Sequence, residues 1–154
     1  MAAPTSLHGL NVRESIADAL YRCVLAFDMA DDTLFESSFV PEANFDLNGR
    51  VMSGVKAIRT DCYDKVSKLD TTHFMSNVRV NYKDGESTAT LSASALAQHY
   101  RAGQGMQPDT THFLSGSLYF LDLVKDDKED LWKIKNWKAK IIWTEGDYGV
   151  LTGN

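Results

Sequence analysis

The stretch Ser87–Arg101, STATLSASALAQHYR, decides the fold. It reads as one long β-strand with period-two alternation. Ala89, Leu91, Ala93, Ala95 and Ala97 share one face, and His99 stands at its end. A face this small does not fill a wide concavity. Either a helix approaches it closely or a cavity remains, with His99 at the rim of that space.

Three neighbouring runs have the same character: His73–Tyr82, His112–Val124 and Leu131–Trp143. Turn signals separate them, at Asp84-Gly85, across Gly103–Pro108 and in the charged segment Lys125–Asp130. Alternation places Ser115, Ser117 and Tyr119 on one face of the run His112–Val124 and His112 on the other. Upstream the period changes. Residues 1–10 read as a flexible arm, and Asn11 with Glu14 forms a capping box. Val12, Ile16, Leu20, Cys23, Val24 and Phe27 then recur at helical spacing over residues 12–30, with Glu14, Asp18 and Arg22 on the wet side. Asp28 falls one turn after Val24, on the flank of the apolar stripe. A short helix fits Asp31–Ser38, ended by Pro41, and a short strand fits Phe45–Leu47, closed by Asn48-Gly49. Gly54–Leu69 reads as a further helix with Val55, Ile58, Cys62 and Val66 on one face. Helices followed by a meander of long strands imply an α+β domain over residues 11–154, its helices packed on one face of a curved antiparallel sheet.

The register of the first hairpin decides whether the two strand histidines meet. A two-residue loop at Asp84-Gly85 sets His73 opposite Leu96 and turns it away from His99. A three-residue loop with Gly85 left-handed, or a bulge elsewhere, returns both histidines to one face.

The totals narrow the function. The chain's 154 residues suit one domain with one core. A formal charge of −5 argues against nucleic acid and anionic membranes as partners. No apolar run approaches the ~20 residues of a membrane span, and Met1–Asn11 lacks the features of a signal peptide. Cys23 and Cys62 have no metal-type spacing and read as buried thiols of a reducing, cytoplasmic setting. There is no phosphate-binding glycine loop, no HExxH and no GxSxG, so nucleotide, metal and esterase chemistry are not expected.

What remains is proton transfer. Histidine beside carboxylate is the common device for acid–base work near neutral pH, and Asp28, His73, His99 and Ser115 are the candidate set, with Ser117 and Tyr119 available to a ligand. Each alone has a plainer reading: strand histidines are more often structural, Asp28 can cap a helix, and the two serines flanking Gly116 can serve close packing. His8, in the arm, has no evident role.

In order and spacing these residues resemble scytalone dehydratase and its relatives in the nuclear-transport-factor-2-like superfamily, which also holds SnoaL-type cyclases. The resemblance runs from about Leu20 to Tyr148. It rests on Ala26-Phe27-Asp28, Pro41-Glu42-Ala43-Asn44-Phe45-Asp46, Thr72-His73-Phe74, Gln98-His99-Tyr100, Ser115-Gly116-Ser117 and Ile141-Ile142-Trp143. It implies a cystatin-like cone and a dehydratase that needs no metal or organic cofactor. The substrate it implies is a hydroxylated, partly reduced cyclic ketone of polyketide type from secondary metabolism. By the same resemblance Asp28 pairs with His99 and Ser115 supports His73, which makes His73 the leading base and Asp28–His99 the group assisting departure of hydroxide, or the reverse. The family's two carbonyl-polarising tyrosines are replaced by Phe27 and Leu47, and an asparagine by Ser117, so these positions are expected to bind a different substrate. Isomerisation or cyclisation in the same pocket is the alternative enzyme reading, and a non-catalytic binding domain the alternative outside catalysis. A homo-oligomer, trimer or dimer, is also implied. Residues 144–154, rich in glycine, are a candidate lid.

Overall fold

The computed structural model describes residues 2–154, so Met1 of the expected arm lies outside it. Residues 2–10 form no helix or strand, but the Ala3 N–H reaches Asp31 Oδ2 at 3.2 Å. Helix α1 (Val12–Met29) begins at the expected capping box, in which the Asn11 side chain and Glu14 satisfy each other's backbone N–H groups. Helix α2 (Asp32–Ser38) is capped by Asp31. Next come β1 (Phe39–Leu47) and β2 (Arg50–Ser53), joined through Asn48-Gly49. The expected third helix is three pieces, α3 (Val55–Ile58), a π-helical turn (Arg59–Tyr63) and α4 (Asp64–Val66). Four long strands follow, β3 (Asp70–Asn81), β4 (Thr88–Tyr100), β5 (His112–Asp126) and β6 (Leu131–Gly146), then a terminal turn of helix, α5 (Gly149–Thr152).

The strands form one sheet in the order β2-β1-β6-β5-β4-β3, antiparallel except where β1 runs parallel to β6. The architecture is the α+β arrangement that the helix-then-strand pattern implies and the cone that the resemblance implies, with two additions. Strand β1 extends six residues earlier than expected, through Pro41, and β2 is a short edge strand. Pro41 therefore lies within a strand and does not mark the end of α2.

Helix α1 lies across the small-residue face. Ile16, Ala19, Leu20, Cys23, Val24 and Phe27 are buried against Ala89, Leu91, Ala93 and Ala95 of β4 and the large side chains of β5 and β6. Arg22 departs from the expected wet face and is only 3 % exposed. Its guanidinium bonds Asp18, Ser37 and the Trp132 carbonyl at 2.6 Å, tying α1 to α2 and β6. Helical spacing alone could not show this, because a long side chain at the edge of a stripe can curl under a neighbouring element. Replacing Arg22 with methionine keeps the aliphatic stem and takes this donor from a partly buried carboxylate and two buried carbonyls. The expected loss is about 3 kcal/mol in a urea unfolding midpoint experiment.

The first hairpin adopts neither of the two simple registers. Near the turn Arg79, Val80 and Asn81 pair with Ser92, Leu91 and Thr90. Carried on without interruption, that register would set His73 opposite Gln98, facing away from His99. Between Ser76 and Arg79 the register shifts: Asn77 and Val78 together oppose one residue, and beyond them His73 pairs with Ala97. Asn77 sits at φ 53, a left-handed conformation that asparagine tolerates better than most residues. This β-bulge turns His73 into the cone.

Candidate functional site

The cavity lies between α1, the α3–α4 segment and the inner face of the sheet. It encloses about 90 Å³ and is mostly apolar, lined by Val24, Phe27, Phe45, Leu47, Trp137 and Ile141 among others. Its polar lining comes from His73, His99, Ser115, Ser117 and Tyr119. The parity argument accounts for this grouping: Ala97 pairs with Ser115, Ala95 with Ser117, Ala93 with Tyr119 and His99 with Phe113, so all point inward together. His112, on the other parity, faces Glu145 near the surface.

Asp28 reaches this site from the end of α1. Ala30, left-handed at φ 51, closes that helix two residues later. The Asp28 carboxylate accepts two hydrogen bonds from one residue: Oδ2 from the His73 backbone N–H at 2.9 Å, and Oδ1 from His73 Nδ1–H at 2.6 Å. This corrects the pairing implied by the resemblance, which gave Asp28 to His99 and Ser115 to His73. The end of α1 packs on the edge strand β3, so the carboxylate meets the β3 histidine and not the one on β4. With Nδ1–H committed to Asp28, His73 presents the lone pair of Nε2.

His99 is held differently. Its ring stands perpendicular to that of His73 with centroids 5.6 Å apart, and its Nδ1–H donates to the Phe113 carbonyl at 3.2 Å. Burial, aided by the nearby His73, lowers its pKa from 6.5 to about 4, although the Phe113 carbonyl and Asp28 act in the opposite direction. Near neutral pH it is therefore an uncharged imidazole whose Nε2 accepts hydrogen bonds.

This sets a pH signature. A histidine whose folded pKa lies below its unfolded value binds protons more readily when unfolded, so stability falls as pH drops from about 6.5 toward 4. The span corresponds to about 3 kcal/mol at full protonation. Thermal melts from pH 7 to pH 4 should show this slope in the wild type. In His99→Gln the slope should be shallower.

The remaining groups complete the chemistry of the wall. Burial raises the pKa of Tyr119 and keeps its phenol protonated, a donor toward any ligand. Cys62 also lines the cavity, but burial pushes its thiol up to about 12, and Cys23 is raised further, so neither is a thiolate near neutral pH. Leu151 of α5 forms part of the lining, with Val150 beside it buried. The segment expected to begin at residue 144 is still strand as far as Gly146. Trp137, Phe45 and Cys62 were not among the site residues expected from sequence. By sequence Trp137, like Trp132 and Trp143, suits a core or an apolar ligand pocket equally, and its place on β6 opposite Phe45 brings it to the cavity.

The SnoaL-like domain model matches residues 9–138. The chain belongs to this family. It is 51 % identical over 150 residues to terrestric acid biosynthesis cluster protein E of Penicillium crustosum, covering 97 % of this chain and 96 % of that one. Solved structures share the fold at low identity. A Novosphingobium aromaticivorans protein provisionally called a scytalone dehydratase superposes with a TM-score of 0.72 at 19 % identity, over 87 % of this chain and 86 % of that one. A hexachlorocyclohexane dehydrochlorinase of Novosphingobium barchaimii gives 0.67 at 15 % identity, over 90 % and 91 %. A Nostoc punctiforme protein with a cystatin-like fold gives 0.65 at 12 % identity, over 86 % and 93 %.

Proposed function

We propose that the chain is a hydro-lyase that removes water from a hydroxylated cyclic ketone of polyketide type, with Asp28 and His73 acting as one acid–base unit. The observation that carries this reading is the bidentate hold of Asp28 on His73, which fixes the ring and frees Nε2 at an apolar cavity. In the proposed step His73 Nε2 takes a proton from the carbon next to the carbonyl. The C–H electron pair moves into the enolate, the enolate re-forms the carbonyl and a new C=C bond, and the β-hydroxyl leaves with its bonding pair. The departing oxygen takes the proton back from the His73 imidazolium, which Asp28 stabilises, and water is released. Both protonation states of the dyad are restored. His99, held uncharged, has no proton on Nε2 to give, so it orients a substrate hydroxyl as an acceptor. Ser115, Ser117 and Tyr119 offer hydroxyls to the substrate's other oxygens. A relative from a biosynthetic cluster supports a small-molecule substrate. The test is incubation with 3-hydroxy-1-tetralone, whose dehydration gives 1-naphthol. Naphthol formation at a rate proportional to enzyme supports the reading. An isomerised ketone with no loss of water would move the same residues to isomerase chemistry.

We further propose that a second copy covers the outer face of the sheet. Phe74, Leu96, Gly116 and Trp143 are successive cross-strand partners in one row, with Leu118 and Phe120 beside them, and the five large side chains are all exposed. So contiguous an apolar strip is unusual for a monomer. Light scattering should give a dimer or trimer for the wild type and a monomer for Phe74→Glu with Phe120→Lys. A monomeric wild type would refute the assembly.

A further inference from the structure

We infer that Trp137 Nε1–H is the hydrogen-bond donor for the substrate's carbonyl oxygen, an inference that deepens the elimination proposed above and rests on it. Trp137 is 5 % exposed, and among the described residues its Nε1 is the one fully buried side-chain polar atom without a partner. Indole nitrogen can only donate, and leaving such a donor unpaired costs about 1–3 kcal/mol. Phenylalanine would keep the apolar bulk without that cost. A buried donor of this kind calls for an explanation, and with Trp137 in the wall of so small a cavity the natural one is a carbonyl that comes within reach of Nε1 as the cavity widens around the ligand.

The surroundings fix the ring. Phe45 stacks on it with centroids 3.8 Å apart and planes 11° from parallel, while Tyr119 and Phe27 meet it edge-on at 5.2 and 6.3 Å. The Phe27 ring also contacts His73 at 5.8 Å, so one aromatic side chain bridges the proposed base and the indole. The cavity's other neutral donors, Ser115, Ser117 and Tyr119, are hydroxyls that rotate and can also accept. The indole has a single direction and a single role. Loss of a proton beside a carbonyl places negative charge on its oxygen, and a preorganised donor is worth most where that charge develops.

The experiment uses α-tetralone, which has the carbonyl and no leaving group, and tetralin, which lacks the oxygen. In ¹H–¹⁵N spectra the Trp137 indole signal is the one missing from Trp137→Phe. Titration with α-tetralone should move it downfield, and tetralin should not. In Trp137→Phe the preference for α-tetralone over tetralin should fall about tenfold, and turnover of 3-hydroxy-1-tetralone about a hundredfold. Equal indole shifts with both probes, or an undiminished preference in the variant, would overturn the assignment. The Asp28→Asn protein separates the two proposals. Its indole should still respond to α-tetralone, and a wild type whose indole responds but which forms no naphthol leaves the donor in place while refuting the elimination.

Discussion

Changing Asp28 to asparagine is expected to lower the rate of naphthol formation about a thousandfold while leaving the fold and ligand affinity nearly unchanged. The amide is the same size as the carboxylate, and its oxygen can still accept from the His73 backbone. It loses the negative charge that favours the imidazolium, and its NH₂ group competes for His73 Nδ1 and selects the wrong tautomer. General acid–base groups contribute roughly 10²–10⁴-fold, and loss of the orienting carboxylate from a histidine dyad falls toward the upper part of that range. Long-range ¹⁵N spectra of the imidazole give a readout independent of turnover. In the wild type His73 should show Nδ1–H, and in Asp28→Asn a mixture or the opposite tautomer. An unchanged rate with a changed tautomer would separate Asp28 from the chemistry.

Inserting one alanine between Phe74 and Met75 should have an effect of similar size by a different route, because the position of the Asn77 bulge fixes which face His73 takes. The bulge exists because two residues of β3 oppose one of β4. Beyond it Ser76 pairs with Ser94 and His73 with Ala97, so one extra residue between Phe74 and Met75 sets His73 opposite Gln98, turns it to the outer face and takes it out of the cavity. Activity should be lost, along with the His73–Asp28 hydrogen bond. Because the insertion also disturbs packing, Asn77→Gly, which leaves the register untouched, is the companion variant. Glycine adopts the left-handed conformation freely, keeps the bulge and should retain wild-type turnover. Asn77→Val, with a β-branched side chain in that conformation, should be destabilised by about 1–2 kcal/mol.

These two residues mark the limit of what the chain discloses before folding. The alanine face of Ser87–Arg101 announced both the curved sheet and the space beneath it, and the parity of His99, Ser115, Ser117 and Tyr119 carried through because β4 and β5 pair without a bulge. The capping box and the stripe of α1 were equally plain, since both are local. What stayed hidden depends on lateral placement. Whether Asp28 meets His73 or His99 turns on which strand lies under the end of α1, and periodicity gives a face without a position across the sheet. The Asn77 bulge leaves only a single asparagine as its trace, and β2 is too short to show a period. Arg22 has an ordinary reading as a wet-face cation, and Trp137 as an aromatic of core or apolar pocket. Only the partners they have, or in Trp137's case lack, show otherwise.

The account's central claim is that His73, held by Asp28, takes a proton from the carbon beside a ketone. The most direct measurement is exchange of the C2 hydrogens of α-tetralone in D₂O, followed by NMR, with wild type, His73→Ala and Asp28→Asn. The account predicts enzyme-dependent deuterium uptake at C2 with wild type and little above the uncatalysed rate with either variant. Tight binding of α-tetralone without exchange, or exchange undiminished in His73→Ala, would contradict it.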